Sequence, residues 1–186
     1  DLLLPEIISK DLIIAVSLNE KSQSTQLDAK NNLDEDKEAH LYLAPSQEQA
    51  KGRFGRQFFA SKQGGIYMSL HLKPNVPFDE VKPYTLMVAS SVVKAISRLT
   101  GIETDIKWVN DIYYNGKKIA GILTEAISSV ETGLITDVII GVGINFHVTK
   151  FPDDISEKAG SIFSEQPSIT RNQLITEIWK LFFTIP

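Results

Sequence analysis

Residues 107–125 read KWVNDIYYNGKKIAGILTE, which is the pattern of a β-hairpin. The Asn-Gly pair at residues 115–116 tolerates the positive φ that both central residues of a type I′ turn require, and β-forming residues flank it. The first arm carries Lys107, Asn110 and Asp111, although a buried strand normally avoids charge. We therefore predict two antiparallel strands with a polar site at the start of the first arm.

Glycines inside predicted strands mark the surface that such a site would use. Gly121 interrupts the second arm of the hairpin, where a missing side chain weakens the sheet unless a ligand or another backbone approaches closely. Gly141 and Gly143 lie two apart in a strand predicted over residues 136–145, so both face the same side. That leaves room for a flat ligand against the sheet. Asn145 ends this strand and offers both a donor and an acceptor.

A second cluster of glycine and positive charge lies in SQEQAKGRFGRQFFASKQGG, residues 46–65. Glycines let backbone amides turn toward a ligand, and nearby cations neutralise phosphate charge. The spacing is not that of a P-loop, because no Gly-Lys-Ser/Thr follows. A single-stranded nucleic-acid module is an alternative interpretation of this loop. The residues concerned are Lys51, Gly52, Arg53, Gly55 and Arg56.

Composition limits the remaining possibilities. The chain has 186 residues, no cysteine, 42% hydrophobic residues and a formal net charge of −4. The absence of cysteine excludes disulfides and thiolate metal sites within this sequence. The net charge argues against a broad phosphate-binding surface. No apolar run reaches the ~20 residues that cross a bilayer, so we expect one soluble, cytoplasmic domain.

The first part of the chain mixes short apolar and polar segments. Residues 1–10 resemble a connector from a preceding domain, and residues 12–16 suit a strand. Ser22 or Ser24 can cap a following helix. The acidic residues 34–38 are predicted to form a solvated loop. The inward-facing residues of the capped helix are predicted to be Leu27 and Ala29.

The second part predicts two amphipathic helices around the sheet. Residues 66–72 alternate like a half-buried strand, in which His71 is more simply exposed or satisfied than a metal ligand. A long helix is predicted to start at Asp79 and to stop at Gly101. Together these elements predict an α+β domain, with a mixed, mainly antiparallel sheet covered by helices and ligands against its glycine-bearing face. The last helix carries a capping-box pattern formed by Thr170 and Gln173.

Several ordered motifs together resemble the central catalytic domain of a bacterial biotin protein ligase. The resemblance covers nearly all of residues 1–186, and it implies a class II synthetase-like biotin/lipoate ligase fold. The motifs are STQ (24–26), KGRFGRQFF (51–59), GGIYMSL (64–70), KWVNDI (107–112), KKIAGILTE (117–125) and IGVGINF (140–146).

The resemblance implies roles for individual residues. Lys107 and Arg53 would be catalytic and lie at the biotin carboxylate and the α-phosphate, where fixed cations offset the charge of two reacting anions. Asp111 is the candidate ligand for Mg²⁺. The implied biotin-binding residues are Ser24, Thr25, Gln26, Gln47, Gly121, Leu123, Gly141 and Gly143. The implied ATP- or adenylate-binding residues are Lys51, Gly52, Arg53, Arg56, Lys107, Asn110 and Asn145.

The resemblance also implies an activity and partners. The enzyme would form biotinyl-5′-AMP from biotin and ATP with Mg²⁺, and then transfer biotin to a lysine of a biotin carboxyl carrier domain. Homodimerisation is a habit of the family. Some members carry an N-terminal helix-turn-helix that binds DNA and makes them transcription repressors, and a small C-terminal β domain normally follows the last helix. We expect this sequence to be the catalytic centre of such a protein.

Four positions depart from the family pattern. Ala50 and Lys51 replace the first Gly-Arg pair of the loop, and Lys51 lacks the planar fork of arginine. Val109 stands where the family commonly has proline, and Gln26 where it commonly has asparagine. Two further alternatives remain open at this point. One is a lipoate or octanoate ligase or transferase, and the other is a non-catalytic module that senses biotinyl-adenylate and dimerises.

Overall fold

A computed structural model describes residues 1–49, 60, 63–108 and 110–186 of the chain. These residues form both helices and strands. They are α1 (Pro5–Leu12), β1 (Ala15–Leu18), α2 (Thr25–Lys30), β2 (His40–Ala44), β3 (Gly65–Leu72), β4 (Val76–Pro77), a short 3-10 helix (Phe78–Glu80), α3 (Tyr84–Thr100), β5 (Asp105–Lys107), β6 (Asp111–Tyr114), β7 (Lys117–Ser128), β8 (Leu134–Asn145) and α4 (Arg171–Phe183).

The strands of the described residues form one mixed, mainly antiparallel sheet. Its order is β1-β2-β3-β8-β7-β6-β5, and β4 pairs with the start of β8 outside this path. β1 and β2 are parallel, whereas the other pairs along the sheet are antiparallel. With helices packed on the sheet, the predicted α+β class and sheet type are confirmed. No helix within the described residues is long and apolar enough to cross a membrane.

The predicted hairpin is present as β6 and β7. Asn115 has φ of 51° and Gly116 has φ of 75°, as the two central positions of a type I′ turn require. The first arm is shorter than predicted, because Lys107 ends the edge strand β5 and the chain re-enters the sheet only at Asp111. The polar stretch between them therefore connects two strands.

One face of the sheet packs on α3 and α4 and forms the main core. Val88, Val92 and Ile96 of α3 are fully buried, as is Trp179 of α4. The predicted stop of α3 is confirmed, since Gly101 caps the helix with φ of 77°. Its predicted start at Asp79 is wrong: Asp79 lies in the separate 3-10 helix. Pro83 explains the break, because proline disfavours helical backbone in the residue before it.

The N-terminal segment contains a helix that the sequence analysis did not predict. Pro5 occupies the first turn of α1, where its missing N–H costs nothing. The predicted strand over residues 12–16 is displaced, since Ile13 adopts the left-handed conformation with φ of 58° and β1 starts at Ala15. Ile8 is fully buried, and α1 packs against α4. A connecting role for residues 1–10 stays a prediction.

The other face of the sheet is partly covered by α2. Ser24 caps this helix by accepting a hydrogen bond from the Leu27 amide, which confirms one of the two predicted caps. Ala29 is fully buried against Tyr42, as predicted, but Leu27 is 40% exposed. Because both faces are covered, seven of the eight residues of β3 are buried, and its predicted half-buried pattern is wrong.

Residues 34–38 were predicted to form a solvated loop. This prediction is wrong for Asp36, which is buried. Asp36 accepts a hydrogen bond from the Tyr42 hydroxyl at 2.6 Å and lies 2.8 Å from Nδ1 of His71. The other ring nitrogen of His71 lies 2.7 Å from Asp137. His71 is therefore a fully buried and satisfied histidine. These contacts tie the loop to β2, β3 and β8.

Candidate functional site

The strand register places one row of candidate residues across the face that α2 partly covers. Opposed residues of antiparallel strands point their side chains to the same face. Tyr67 pairs with Gly143, Gly143 with Gly121, Gly121 with Asp111, and Asp111 with Lys107. A cation, a carboxylate and two side-chain-free positions therefore lie side by side.

A neighbouring row lies two residues along each strand and so shares the same face. It runs from Tyr42 through Ser69 and Gly141 to Leu123. The spacing of Gly141 and Gly143 predicts that they face one side of the sheet, and the register agrees. Ser69 was not predicted as a site residue. Its position in the GGIYMSL strand, two residues from Tyr67, could have indicated which face of the sheet it occupies.

The start of α2 contributes the polar groups nearest to these rows. The Thr25 amide donates to Oε1 of Gln47 at 2.7 Å, and the Thr25 hydroxyl lies 2.7 Å from that of Ser69. Thr25 is 3% exposed and Ser69 fully buried. Since Oε1 of Gln47 is engaged, its amide NH₂ is the end that can donate to a ligand. Ser24 is adjacent and serves as the helix cap.

The room predicted beside Gly141 is filled by the side chain of Gln26. A Cβ added to Gly141 would lie 2.6 Å from Oε1 of Gln26. That oxygen accepts a hydrogen bond from Ser69 at 2.5 Å, while Nε2 donates to Glu125 at 3.0 Å and reaches the Leu123 carbonyl oxygen at 3.5 Å. Gln26 therefore forms part of the wall of the site.

The two charged residues of the site, Lys107 and Asp111, each contact a neighbouring side chain. The ammonium of Lys107 lies 4.2 Å from the ring centroid of Tyr113, a cation–π distance. Lys107 is exposed, so its side chain has the freedom to reach a ligand. Asp111 forms an ion pair with Lys118 at 2.9 Å. Among the described residues no group of three or more His, Cys, Asp or Glu side chains is arranged to hold a metal ion.

The two asparagines occupy different surroundings. The Asn110 carbonyl oxygen accepts from the Ile122 amide at 2.9 Å, and its side-chain nitrogen reaches the Ile122 carbonyl oxygen at 3.4 Å, so Asn110 fastens the turn to β7. Asn145 is 5% exposed, and its Oδ1 has no hydrogen-bond partner within the described part of the chain. A buried acceptor without a partner costs free energy, which a ligand donor would recover.

Part of the predicted site cannot be placed. Lys51, Gly52, Arg53 and Arg56 lie outside the described residues, as does Val109. The structure thus brings together the predicted residues of α2, β7 and β8 with Gln47 and Lys107. Sequence reasoning missed Ser69, Lys30 and Glu125, whose contacts join segments far apart in the chain.

Comparisons with known proteins point to one group. The profile of the family described as Biotin/lipoate A/B protein ligase family matches residues 17–145. The bifunctional ligase/repressor BirA of Bacillus subtilis is 37% identical over 159 residues, which are 84% of this chain and 47% of that protein. The biotin--[acetyl-CoA-carboxylase] ligase of Mycobacterium tuberculosis is 29% identical over 126 residues, which are 66% of this chain and 44% of that protein. The chain spans about half the length of these relatives.

Solved structures agree with the sequence relatives. The biotin protein ligase from Aquifex aeolicus, in complex with biotin and ATP, matches with a TM-score of 0.75 at 25% identity, over 91% of this chain and 68% of that chain. The biotin protein ligase from Leishmania major, in complex with biotinyl-5-AMP, has the same fold, with a TM-score of 0.73 at 23% identity over 91% of this chain and 74% of that chain. The family profile covers well over half of the sequence, and the chain therefore belongs to the Biotin/lipoate A/B protein ligase family.

Proposed function

We propose that this chain is the catalytic domain of an ATP-dependent biotin protein ligase. The observation that carries the proposal is the polar cluster of Thr25, Ser69 and Gln47, which lies on the same sheet face as Lys107. Two relatives named as ligases, one of them as a biotin--[acetyl-CoA-carboxylase] ligase, support the same assignment. The polar cluster suits a neutral head group, and the Lys107 cation suits an anionic tail. Biotin has one of these groups at each end.

The head of biotin is a ureido ring with one carbonyl oxygen and two N–H groups. The amide NH₂ of Gln47 can donate to that oxygen, while hydroxyl oxygens of Ser24 and Thr25 and the Leu123 carbonyl can accept from N–H. Gly121 and Gly143 leave the adjacent sheet surface without side chains, which lets a ring lie against the backbone.

The first step joins two anions. A carboxylate oxygen of biotin attacks the α-phosphorus of ATP, a P–O bond forms, and the bond to the bridging oxygen breaks so that pyrophosphate leaves. Lys107, moving from Tyr113 toward the reactants, would stabilise the negative charge on the oxygens of the α-phosphate in the transition state. Arg53 is proposed to act beside it, together with Lys51, Gly52 and Arg56 of the same loop.

The second step needs no nucleophile from this chain. A neutral lysine amine of a biotin carboxyl carrier domain attacks the mixed-anhydride carbonyl, an amide bond forms, and AMP leaves with the bond electrons. The surplus proton passes to solvent. The role of the domain is to hold the adenylate and exclude competing water while the carrier docks.

The nucleotide is proposed to bind near Asn145, at the far end of the same sheet face. The buried Oδ1 of Asn145 is a partnerless acceptor among the described residues, which suits the amino group of adenine. Asn110 is proposed to help form the adenylate site by holding the turn next to Lys107. Mg²⁺ accompanying ATP would be held mainly through phosphate oxygens. Asp111 would contribute only after releasing Lys118, which makes it a poor preformed metal ligand.

The proposals for the remaining partners and for the location rest on the family resemblance. We propose a cytoplasmic protein that forms homodimers. The Bacillus subtilis relative is named as a repressor as well as a ligase. A similar role for this protein would require a DNA-binding helix-turn-helix domain, as the family resemblance implies.

Direct product detection tests this function. The protein is incubated with ATP and Mg²⁺ plus biotin or lipoate, and the acyl-adenylate is identified by mass spectrometry before a carrier domain is added. We expect biotinyl-5′-AMP and then a biotinylated carrier lysine. An adenylate formed from lipoate and not from biotin would reassign the substrate, whereas biotin binding without any adenylate would favour a sensing module.

A further inference from the structure

The amide of Gln26 is held in one orientation. Its Oε1 faces the Ser69 hydroxyl at 2.5 Å, and its Nε2 faces a carboxylate oxygen of Glu125 at 3.0 Å. An amide oxygen only accepts hydrogen bonds and an amide nitrogen only donates them. Turning the amide over would set its oxygen against the Glu125 carboxylate. The surroundings therefore determine which end points toward Ser69.

Lys30 completes this arrangement. Gln26 and Lys30 are four residues apart on α2 and so project from the same side of the helix. Nε2 of Gln26 donates to Oε1 of Glu125, while Nζ of Lys30 lies 2.8 Å from Oε2. The Lys30 and Glu125 side chains are 38% and 35% exposed, so their ion pair adds little to global stability. Its main effect is to prevent the Glu125 carboxylate from turning away from Gln26.

The orientation of Gln26 passes to the hydroxyl of Thr25. Ser69 has a single hydroxyl hydrogen, and Oε1 of Gln26 takes it. The Thr25 hydroxyl lies 2.7 Å from that of Ser69 and 3.2 Å from Oε1 of Gln47. Because the Ser69 hydrogen is already used, Thr25 must be the donor in the shorter of these two contacts. With its own hydrogen used, Oγ1 of Thr25 can only accept from a ligand. Gln47 can only donate through its NH₂, because its Oε1 accepts from the Thr25 amide.

We propose that Lys30 and Glu125 are positioning residues that set the hydrogen-bond pattern of the polar cluster formed by Thr25, Ser69 and Gln47. They fix the Gln26 amide, the amide orients Ser69, and Ser69 leaves Thr25 as an acceptor beside the donor Gln47. That pattern matches an N–H next to a C=O, as in a ureido ring. This inference rests on the proposed function and deepens it, because it assigns biotin affinity to residues that need not touch biotin.

Biotin titration calorimetry on four proteins tests the inference: the unaltered chain, Lys30→Met, Lys30→Arg and Arg98→Met. We expect Lys30→Met to weaken biotin binding about two- to fivefold, the scale of one half-exposed ion pair. Lys30→Arg should restore the affinity. Arg98→Met is the matched control, because it removes the exposed Arg98–Glu177 pair, 3.3 Å apart, between α3 and α4. The biotin KM should rise with Lys30→Met while the adenylation rate at saturating biotin stays unchanged.

A double-mutant cycle decides whether Lys30 acts through Gln26. Once Gln26→Ala has removed the amide, adding Lys30→Met should cause no further loss of biotin affinity. An equal loss with and without Gln26 would overturn the inference, as would an unchanged affinity in the single variant. A failure of the proposed function looks different, since the unaltered chain would then not bind biotin at all; that result would overturn both.

Discussion

Gly141 lies directly beneath the amide of Gln26, and a Cβ at Gly141 would come within 2.6 Å of Oε1 of Gln26. The nearest atoms belong to the far end of a flexible side chain. A methyl group there would displace the Gln26 amide more readily than it would deform the sheet. The glycine is thus needed for the position of Gln26 and not for an unusual backbone conformation.

Gly141→Ala should accordingly impair biotin binding more than folding. We expect a destabilisation of about 1 kcal/mol, at the low end for overpacking. Biotin affinity should fall about tenfold, equal to about 1.4 kcal/mol, because Ser69 and Thr25 lose their fixed orientation. Urea unfolding and calorimetry measure the two quantities. The losses of stability and of biotin affinity caused by Gly141→Ala should largely disappear when Gln26 is also alanine. If they persist in the Gln26→Ala background, the added methyl group clashes with another part of the protein.

Thr25→Val removes one hydroxyl and keeps the side-chain shape. Ser69 would lose a buried partner, so we expect a loss of about 1–2 kcal/mol in the free energy of unfolding. Biotin binding should weaken about tenfold or more, since the acceptor facing the ureido ring is gone. Thr85→Val is the matched control, because the Thr85 hydroxyl donates to Thr124 at 2.8 Å between α3 and β7. Equal effects of both variants on biotin affinity would contradict the assigned role of Thr25.

Asp137 should make folding sensitive to acid. Burial opposes ionisation of this carboxyl, but hydrogen bonds with Lys73, His71 and Thr136 outweigh it, so the pKa of Asp137 lies below its ordinary value. The stabilisation is complete above the unfolded pKa of about 3.9 and is lost as the pH falls through the folded pKa.

Asp137→Asn tests this acid sensitivity. It should cost about 3 kcal/mol at pH 7, the scale for breaking a buried ion pair. The stability difference from the unaltered chain, measured by urea unfolding, should shrink below about pH 4. Glu131→Gln, at an exposed turn, is the control. A difference for Asp137→Asn that does not vary between pH 3 and pH 7 would exclude this explanation.

Lys107→Ala should separate chemistry from folding. Lys107 is exposed, and its contact with the Tyr113 ring is worth about 1 kcal/mol or less. Loss of a fixed cation at the transition state should slow biotinyl-adenylate formation by about 100- to 1000-fold. Single-turnover kinetics at saturating biotin and ATP measures this step. Lys94→Ala, on the exposed side of α3, should leave the rate unchanged; an unchanged rate for Lys107→Ala would remove Lys107 from the mechanism.

Local sequence signals predicted much of the fold. The Asn-Gly pair at residues 115–116, the cap at Ser24 and the stop at Gly101 each follow from the preference of one or two residues for a specific backbone geometry. The capping box of Thr170 and Gln173 is present with both of its hydrogen bonds. The hairpin turns alone do not fix the register, because irregularities at Ile112/Tyr113 and at Ile127/Ser128 shift it before the strand glycines pair.

Long-range contacts could not be predicted in the same way. Gln26 and Glu125 are 99 residues apart, and no local pattern indicates that they meet. Asp36 looks like one member of an acidic loop, yet it is buried because His71 and Tyr42 satisfy it. α1 was missed because its apolar residues merge with those of β1, and only Pro5 marks its start. The strand pattern indicated Lys107 and the glycine-bearing face, whereas Ser24, Thr25, Gln26, Gln47 and Leu123 came from the family resemblance. The roles of all these residues remain predictions.

ATP–pyrophosphate exchange on the 186-residue chain, with biotin, lipoate or no acid added, tests the central proposal most directly. Exchange requires reversible attack of a carboxylate on the α-phosphorus, so it reports the first chemical step without a carrier protein. We predict exchange that depends on biotin, is absent with lipoate and is lost in Lys107→Ala. Exchange supported by lipoate alone, or no exchange from folded protein that binds both biotin and ATP, would contradict the assignment as a biotin-activating enzyme.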